Sequence, residues 1–149
     1  MNRLFFSVLT IISSFFITSC EREEENPIPN LSVNIRTPYS DFIQLRNAGS
    51  HIEYKYGNFY AAGTALGYGG VLIFRDYDNK LHAADLACPV EADKSVTVRV
   101  EMPYAICPKC NSKYDLTFGF CSPISGPSKH NLRIYQSVFE AGDYIQVRN

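Results

Sequence analysis

Short runs in which apolar and polar residues alternate constrain the fold of this chain more than any other feature of its sequence. Alternation with a period of two is typical of half-buried strands, and no apolar stripe at helical spacing extends beyond a few turns. Tyrosine and phenylalanine are abundant, with ten of each among 149 residues, and glycine and proline interrupt the runs often. The pattern predicts an all-β fold of small antiparallel sheets, with strands near residues 32–36, 51–56, 71–75, 81–85, 96–100, 105–106, 113–115, 132–138 and 144–147.

One hairpin and one helix can be placed more closely. Residues 76–80 read Asp-Tyr-Asp-Asn-Lys, a tight polar turn between two apolar runs. Such a turn predicts a β-hairpin over residues 71–85. Residues 39–45 are expected to form one helical turn or a short helix.

The N-terminal segment indicates export. An apolar run over residues 4–17 follows Arg3, and it is too short to cross roughly 30 Å of hydrocarbon, which needs about 20 apolar residues. The run predicts a signal peptide at residues 1–19, the alternatives being a transmembrane anchor or a buried N-terminal helix. Residues 17–20, Ile-Thr-Ser-Cys, resemble the lipobox of bacterial lipoproteins. That resemblance implies acylation of Cys20 and a mature protein anchored to the cell envelope by lipid.

The segment after Cys20 is acidic and contains prolines, so residues 20–30 are expected to form a lipidated, disordered tether. An acidic run in this position also resembles the surface-export signal of lipoproteins from Bacteroidetes-type bacteria. A solvated linker explains the same residues equally well. The location of the protein, at the outer membrane or the cell surface, and the membrane face that displays it therefore stay open. Residues 31–149 are long enough for one domain with a sizeable core.

Composition excludes several function classes. The formal net charge of −1 does not favour binding to nucleic acid. No Ser-His-Asp order and no paired carboxylates stand out, so the sequence does not predict an enzyme. The expected partners are the membrane, through the lipid, and a protein of the envelope.

The remaining four cysteines carry the chemistry: Cys88, Cys107, Cys110 and Cys121. In an exported protein, an even number of cysteines favours disulfides. However, residues 107–110 form a C-x-x-C knuckle, which lets two sulfurs converge on one centre and recurs in zinc and iron sites. A Cys-Pro pair at residues 88–89 supplies a second cysteine turn after a strand.

Three segments together resemble the cluster-binding half of a Rieske [2Fe–2S] protein. They are Ala-Asp-Leu-Ala-Cys-Pro at 84–89, Cys-Pro-Lys-Cys-Asn-Ser-Lys-Tyr-Asp at 107–115 and Ser-Gly-Pro at 125–127. The family has C-x-H on the first loop, C-P-x-H-G-S-x-F-D on the second, and a Gly-Pro loop that covers the cluster. The resemblance implies a Rieske-like fold with a cysteine-loop subdomain, and the mature chain resembles Rieske-type lipoproteins of Bacteroidetes.

The chain departs from that family at the ligands. A Rieske centre binds one iron through two cysteines and the other through two histidines. The cysteine positions fall on Cys88 and Cys107, whereas Val90 and Cys110 stand at the histidine positions, and Asn111 replaces the following glycine. The His₂Cys₂ centre is therefore not encoded.

Three interpretations of the site remain open. In the first, no metal binds and Cys88 pairs with Cys107 in a disulfide, which leaves a binding or scaffold module on the envelope. In the second, Cys88, Cys107 and Cys110 hold zinc or an all-cysteine cluster with a distant or outside fourth ligand. In the third, the domain is an electron-transfer protein with a non-standard iron–sulfur centre. Cys121 is expected to lie away from the site, and of the three histidines only His130 is placed to approach it.

Overall fold

The computed structural model of the chain describes residues 25–58 and 60–149. The predicted signal peptide and Cys20 lie outside the described residues. Within the described part, twelve strands and one helix of six residues make up the regular structure, which confirms the all-β prediction. None of the helices described is long and apolar enough to cross a membrane.

The strands are short, and most of the predicted ones are present with ends displaced by a few residues. They are β1 (Val33–Arg36), β2 (His51–Tyr54), β3 (Ala65–Leu66), β4 (Val71–Arg75), β5 (Leu81–Asp85), β6 (Arg99–Glu101), β7 (Tyr104–Ile106), β8 (Lys113–Asp115), β9 (Ser122–Ser125), β10 (Ile134–Tyr135), β11 (Ser137–Ala141) and β12 (Tyr144–Arg148). The single strand predicted at 132–138 is wrong: the chain forms two strands there, β10 and β11, which belong to different sheets. The helix, α1, spans Tyr39–Gln44, where a short helix was expected.

Three four-stranded antiparallel sheets organise these strands. Their orders are β11-β12-β1-β3, β10-β5-β4-β2 and β6-β7-β8-β9. The predicted hairpin is confirmed: β4 pairs with β5 from Val71 opposite Asp85 to Arg75 opposite Leu81. The third sheet is a meander, and β7 and β8 enclose the knuckle of residues 107–112 between them.

The sheet that contains β4 lies between two cores, because all five residues of this strand are buried. Successive side chains of a strand point to opposite faces. Leu72 and Phe74 accordingly pack in one core with Cys88, Cys107 and Tyr114, which come from the loops and the third sheet. Val71 and Ile73 pack in the other core, with residues of the first sheet. The cysteines are thus built into the core that joins the second and third sheets.

Residues 26–30 differ from the expected disordered tether, because they pack on the domain. Ile28 is fully buried, and the Arg133 guanidinium donates a hydrogen bond to its carbonyl oxygen. Asn26 Nδ2 donates to the carbonyl oxygen of Asn131 at 2.8 Å. The buried Ile28 side chain and these hydrogen bonds offset the entropy lost on ordering the segment, which its two prolines reduce. The packed domain therefore includes Asn26 and does not begin at residue 31.

Candidate metal centre

Asp85, at the end of β5, fixes the chain that leads to Cys88. Its fully buried carboxylate accepts hydrogen bonds from the backbone N–H groups of residues 68 and 69, at 2.8 and 2.9 Å. The Tyr135 hydroxyl donates to it at 2.6 Å, and the N–H of Ala87 donates at 2.8 Å. A buried carboxylate needs such donors to offset its lost hydration. Asp85, three residues before Cys88, is therefore held from several sides, and it fixes Ala87, the residue directly before Cys88, in turn.

The first cysteine loop, residues 88–96, closes on itself. The N–H of Cys88 donates to the carbonyl of Val96 at 3.1 Å, and the N–H of Ala92 donates to the carbonyl of Cys88 at 2.9 Å. The Cys88 side chain is fully buried. This loop therefore points a single thiol inward.

The knuckle, residues 107–112, begins directly after β7 and turns back into β8. Its closing hydrogen bonds run from the N–H of Cys107 to the carbonyl of Ser112 at 2.9 Å and from the N–H of Asn111 to the carbonyl of Cys107 at 3.0 Å. Asn111 has a φ of 59°, a left-handed conformation that asparagine tolerates better than most residues. This explains how asparagine can occupy the position at which the Rieske family, which the sequence resembles, has glycine.

A third loop covers the knuckle at Gly126. A Cβ atom added to Gly126 would lie 2.5 Å from the Cα of Ser112, and the φ of Gly126 is 87°. Both the space and the backbone conformation thus require glycine here. Two residues further on, the N–H of Ser128 donates to Ser112 Oγ at 3.1 Å.

These loops bring three of the predicted site residues together. The Sγ atoms of Cys88, Cys107 and Cys110 all lie within 4.8 Å of one another. The Sγ atoms of Cys88 and Cys110 are 3.6 Å apart. Sulfurs at about 2.3 Å from a tetrahedral ion are separated by about 3.8 Å, so the spacing fits three ligands of one metal ion.

The surroundings shift the pKa values of the two knuckle thiols, Cys107 and Cys110, in opposite directions. Burial raises the pKa of Cys107 to about 11, against hydrogen bonds from the backbone N–H groups of Lys109 and Cys110, which favour its thiolate. Burial also acts to raise the pKa of Cys110, but hydrogen bonds from the side chain and backbone of Ser112 outweigh it and lower that pKa. A cation at the centre would favour the thiolate form of all three.

Two hydroxyl groups complete the environment of the sulfurs. Ser112 Oγ lies 3.2 Å from Cys110 Sγ and accepts hydrogen bonds from the Cys110 thiol and from the Ser128 N–H. Once Cys110 loses its proton, the Ser112 hydroxyl can donate to the thiolate, which is how it lowers that pKa. Tyr114 Oη lies 3.4 Å from Cys88 Sγ. Burial, together with this contact, raises the pKa of Tyr114, so the phenol keeps its proton. The sequence pattern contained both residues but did not indicate which sulfur each would contact.

An ion pair links the two cysteine loops. Lys109 Nζ of the knuckle contacts a carboxylate oxygen of Glu91, which belongs to the first cysteine loop. The side chain of Glu91 is largely covered, whereas that of Lys109 is mostly exposed. Sequence reasoning predicted that the two cysteine loops meet, but it did not identify this pair, because the spacing of the two residues does not indicate which side chains of the loops come into contact.

Other residues singled out in the sequence lie elsewhere. Cys121 is buried with its Sγ 3.6 Å from the carbonyl oxygen of Gly119, and it is not a member of the three-thiol group. Val90 is 41% exposed and offers no donor atom. Within residues 25–58 and 60–149, no histidine joins the group, and His82 instead contacts Asp76 at 2.7 Å.

All four described cysteines are free thiols, and the disulfide between Cys88 and Cys107 stays a prediction. The donor set in the described residues is three thiols without an imidazole. It fits a single thiophilic ion whose fourth ligand comes from outside, and it does not fit a cluster that needs two histidine ligands.

Neither the models of known protein families nor the curated proteins include a significant match to this chain. The functional argument therefore depends on the site itself.

Proposed function

We propose that this protein is an exported lipoprotein whose β domain binds one thiophilic metal ion, of the zinc type, through Cys88, Cys107 and Cys110. The observation that carries the proposal is the convergence of the three Sγ atoms within 4.8 Å. The domain would act as a binding module of the envelope. A partner protein would recognise the end of the domain where the cysteine loops hold the ion. No enzymatic role is proposed.

The number of sulfurs favours metal binding over disulfide formation at this site. A disulfide uses two thiols, and it would leave the third buried or half-buried beside it. Here all three sulfurs have polar neighbours: a phenol at Cys88, backbone N–H groups at Cys107 and a hydroxyl at Cys110. Donors of this kind stabilise thiolates and orient metal ligands.

The ion would have one position open to an outside ligand, since the described residues provide three thiolates and zinc usually takes four ligands. Cys110 is only half-buried, so this side of the site faces solvent. A water molecule or a side chain of a partner would complete the coordination. Partner binding would thereby depend on whether the site holds the ion.

The fold that we propose is Rieske-like. Support comes from the arrangement of two cysteine loops and a Gly-Pro loop, in which Gly126 contacts the knuckle at Ser112. The Rieske [2Fe–2S] centre itself does not fit, because Val90 and Cys110 stand at its histidine positions.

Electron transfer is the second candidate function. Hydrogen bonds to cluster sulfurs tune reduction potentials, and the hydroxyl groups of Ser112 and Tyr114 lie 3.2 and 3.4 Å from the Sγ atoms of Cys110 and Cys88. They would be the donors in these contacts when the cysteines are thiolates. An iron-containing centre with a ligand from outside would use the same three thiolates. A red-brown protein with visible absorption would favour this candidate, whereas a zinc protein is colourless.

The lipid anchor belongs to the same proposal. The chain joins the packed domain at Asn26, six residues after Cys20. Replacing Cys20 with alanine should abolish fatty-acid labelling and release the protein from membranes. Labelling that persists in the Cys20→Ala variant would contradict the anchor.

Metal binding can be tested by titrating the detergent-solubilised full chain with Cd²⁺ and recording the ultraviolet thiolate-to-metal absorption. We expect one equivalent to bind the wild type, and Cys88→Ala, Cys107→Ala or Cys110→Ala to lose the absorption. Cys121→Ala is the matched control, because Cys121 is as buried as Cys88 but lies outside the group. Loss of binding in the control alone, or no binding by the wild type, would contradict the proposal.

A further inference from the structure

We propose that the aromatic turn, Phe118-Gly119-Phe120, is a membrane-contacting element that inserts its two phenyl rings into the lipid interface beside the lipid anchor. The inference rests on the proposed anchoring through Cys20, and it adds a second point of contact. It also gives the domain a defined orientation on the bilayer.

The aromatic turn presents its rings to solvent from a fixed backbone. Phe118 is 55% exposed and Phe120 is 68% exposed, whereas Gly119 between them is buried. A Cβ atom at Gly119 would lie 2.2 Å from the His82 ring, so this backbone packs directly on that ring. Because His82 is itself held by Asp76, the turn has little freedom to fold its rings inward.

The same turn adjoins the point where the chain from the anchor enters the domain. Asn26 Nδ2 donates to the carbonyl oxygen of Asn131 at 2.8 Å, and Asn131 Nδ2 donates to the carbonyl oxygen of Phe120 at 3.0 Å. The Arg133 guanidinium also donates to the carbonyl oxygens of Asn26 and Ile28. One asparagine therefore links Asn26 to Phe120, the more exposed phenylalanine of the turn.

The length of chain between anchor and domain limits how far this surface can move from the bilayer. Five residues lie between Cys20 and Asn26, and the six steps from one Cα atom to the next span at most about 20 Å when the chain is fully extended. The aromatic turn is consequently always within reach of the headgroups. Exposed phenyl rings in such a position gain by entering the interface, which is where aromatic side chains of membrane-bound proteins concentrate.

The contact would point the cysteine site away from the membrane. Strands β8 and β9 pair antiparallel, with Lys113 opposite Ser125 and Asp115 opposite Ser122. The knuckle precedes β8 and Gly126 follows β9, whereas the aromatic turn connects the other ends of the two strands. With the aromatic turn on the bilayer, Cys88, Cys107 and Cys110 would face outward, where an envelope partner can approach.

A tryptophan reporter tests this proposal, because the chain contains no tryptophan. The acylated full chain carrying Phe120→Trp would be bound to phosphatidylcholine vesicles with brominated acyl chains. We expect a blue-shifted emission that bromine quenches, and the same for Phe118→Trp as a second reporter. Ile124→Trp is the matched control, because Ile124 is 50% exposed on β9 near its cysteine end.

The quenching and flotation results distinguish the membrane contact from the lipid anchor. Strong quenching at positions 118 and 120 with little at 124 supports the contact. Vesicle-bound protein whose tryptophan is equally unquenched at 120 and 124 contradicts the contact but leaves the anchor intact. Failure of every variant to float with the vesicles contradicts the anchor, and the contact with it, because the anchor is what brings the aromatic turn to the bilayer.

Discussion

Tyr114 Oη lies 3.4 Å from Cys88 Sγ, although Tyr114 lies on β8, Cys88 lies in the loop after β5, and the two residues are 26 positions apart in the chain. The ring of Tyr114 is fully buried in the core that also contains Cys88 and Cys107. The phenol thus serves both the packing of the domain and the polar environment of the site.

Replacing Tyr114 with phenylalanine should separate these two roles. The ring remains, so we expect the free energy of unfolding of the metal-free protein to fall by only about 1 kcal/mol. The donor to Cys88 is lost, so the affinity for Zn²⁺ should drop by about 10- to 100-fold. Competition with a chromophoric chelator would measure this.

Tyr104→Phe is the control for that variant. Tyr104 is also on the third sheet, and its ring lies under Lys113 Nζ at 3.6 Å, a contact that phenylalanine retains. Equal losses of zinc affinity in both variants would show that the phenol of Tyr114 has no specific role.

Gly126→Ala should destabilise the domain and weaken metal binding together. The added Cβ would meet the backbone of Ser112 at 2.5 Å, at a φ of 87° that disfavours alanine. Gly142→Ala is matched for positive φ, at 66°, but has no atom within 4 Å of the new Cβ. We expect Gly142→Ala to cost about 1 kcal/mol, and Gly126→Ala to cost several times more.

Urea unfolding of both glycine variants, with and without Zn²⁺, would measure these effects. If Gly126→Ala were as stable as Gly142→Ala and bound zinc normally, the close contact between the Gly-Pro loop and the knuckle would be wrong.

Asp76 should make stability fall at acidic pH. Burial acts to raise the pKa of this carboxyl group, but hydrogen bonds from the Lys80 N–H and from His82 hold it below its usual value. A carboxyl group whose pKa is lower in the folded state stabilises the fold above the unfolded pKa, near 4. That contribution is lost as the pH falls from about 4 through the lower folded pKa.

The Asp76→Asn variant should therefore be less stable at pH 7 and show a weaker loss of stability below about pH 4. Asp78→Asn is the control, since the Asp78 side chain is 54% exposed and its nearest cation, Lys80, is 3.8 Å away. Urea unfolding at several pH values would measure both. An unchanged acid dependence in Asp76→Asn would contradict the assignment.

Two substitutions should restore the ligand set of the Rieske family, which the sequence resembles. Val90→His and Cys110→His together leave Cys88 and Cys107 in place, and Val90 is 41% exposed, which leaves room for an imidazole. After reconstitution with iron and sulfide, we expect visible absorption from the double variant and none from the wild type. The single variant Val90→His is the control, and a coloured wild type would favour the electron-transfer candidate.

The sequence predicted the central hairpin of the second sheet well, because its signals are local. The hairpin of β4 and β5 has apolar runs on both sides of a polar turn, and both strands were placed with their correct ends. Strand β3 has two residues, and β9 reads Ser-Pro-Ile-Ser, so neither shows a strand pattern. Both strands exist because a neighbouring strand pairs with them, which a local pattern cannot reveal.

The site shows the same division between local and long-range information. The C-x-x-C spacing predicts that Cys107 and Cys110 share a centre, and the resemblance to the Rieske loops implies that Cys88 joins them. The ion pair of Glu91 with Lys109 depends on how two loops approach, and the carbonyl oxygen of Ile28 accepts a hydrogen bond from Arg133, more than a hundred residues away. Such contacts follow from the assembled fold.

The most direct test of the central claim is the mass of the intact, detergent-solubilised protein by native mass spectrometry after expression with zinc. The account predicts one zinc ion per chain, no bound sulfide, and loss of the ion from the Cys110→Ala variant. A metal-free chain that is lighter by two hydrogens, with Cys88 joined to Cys107 or Cys110 in a disulfide, would contradict it.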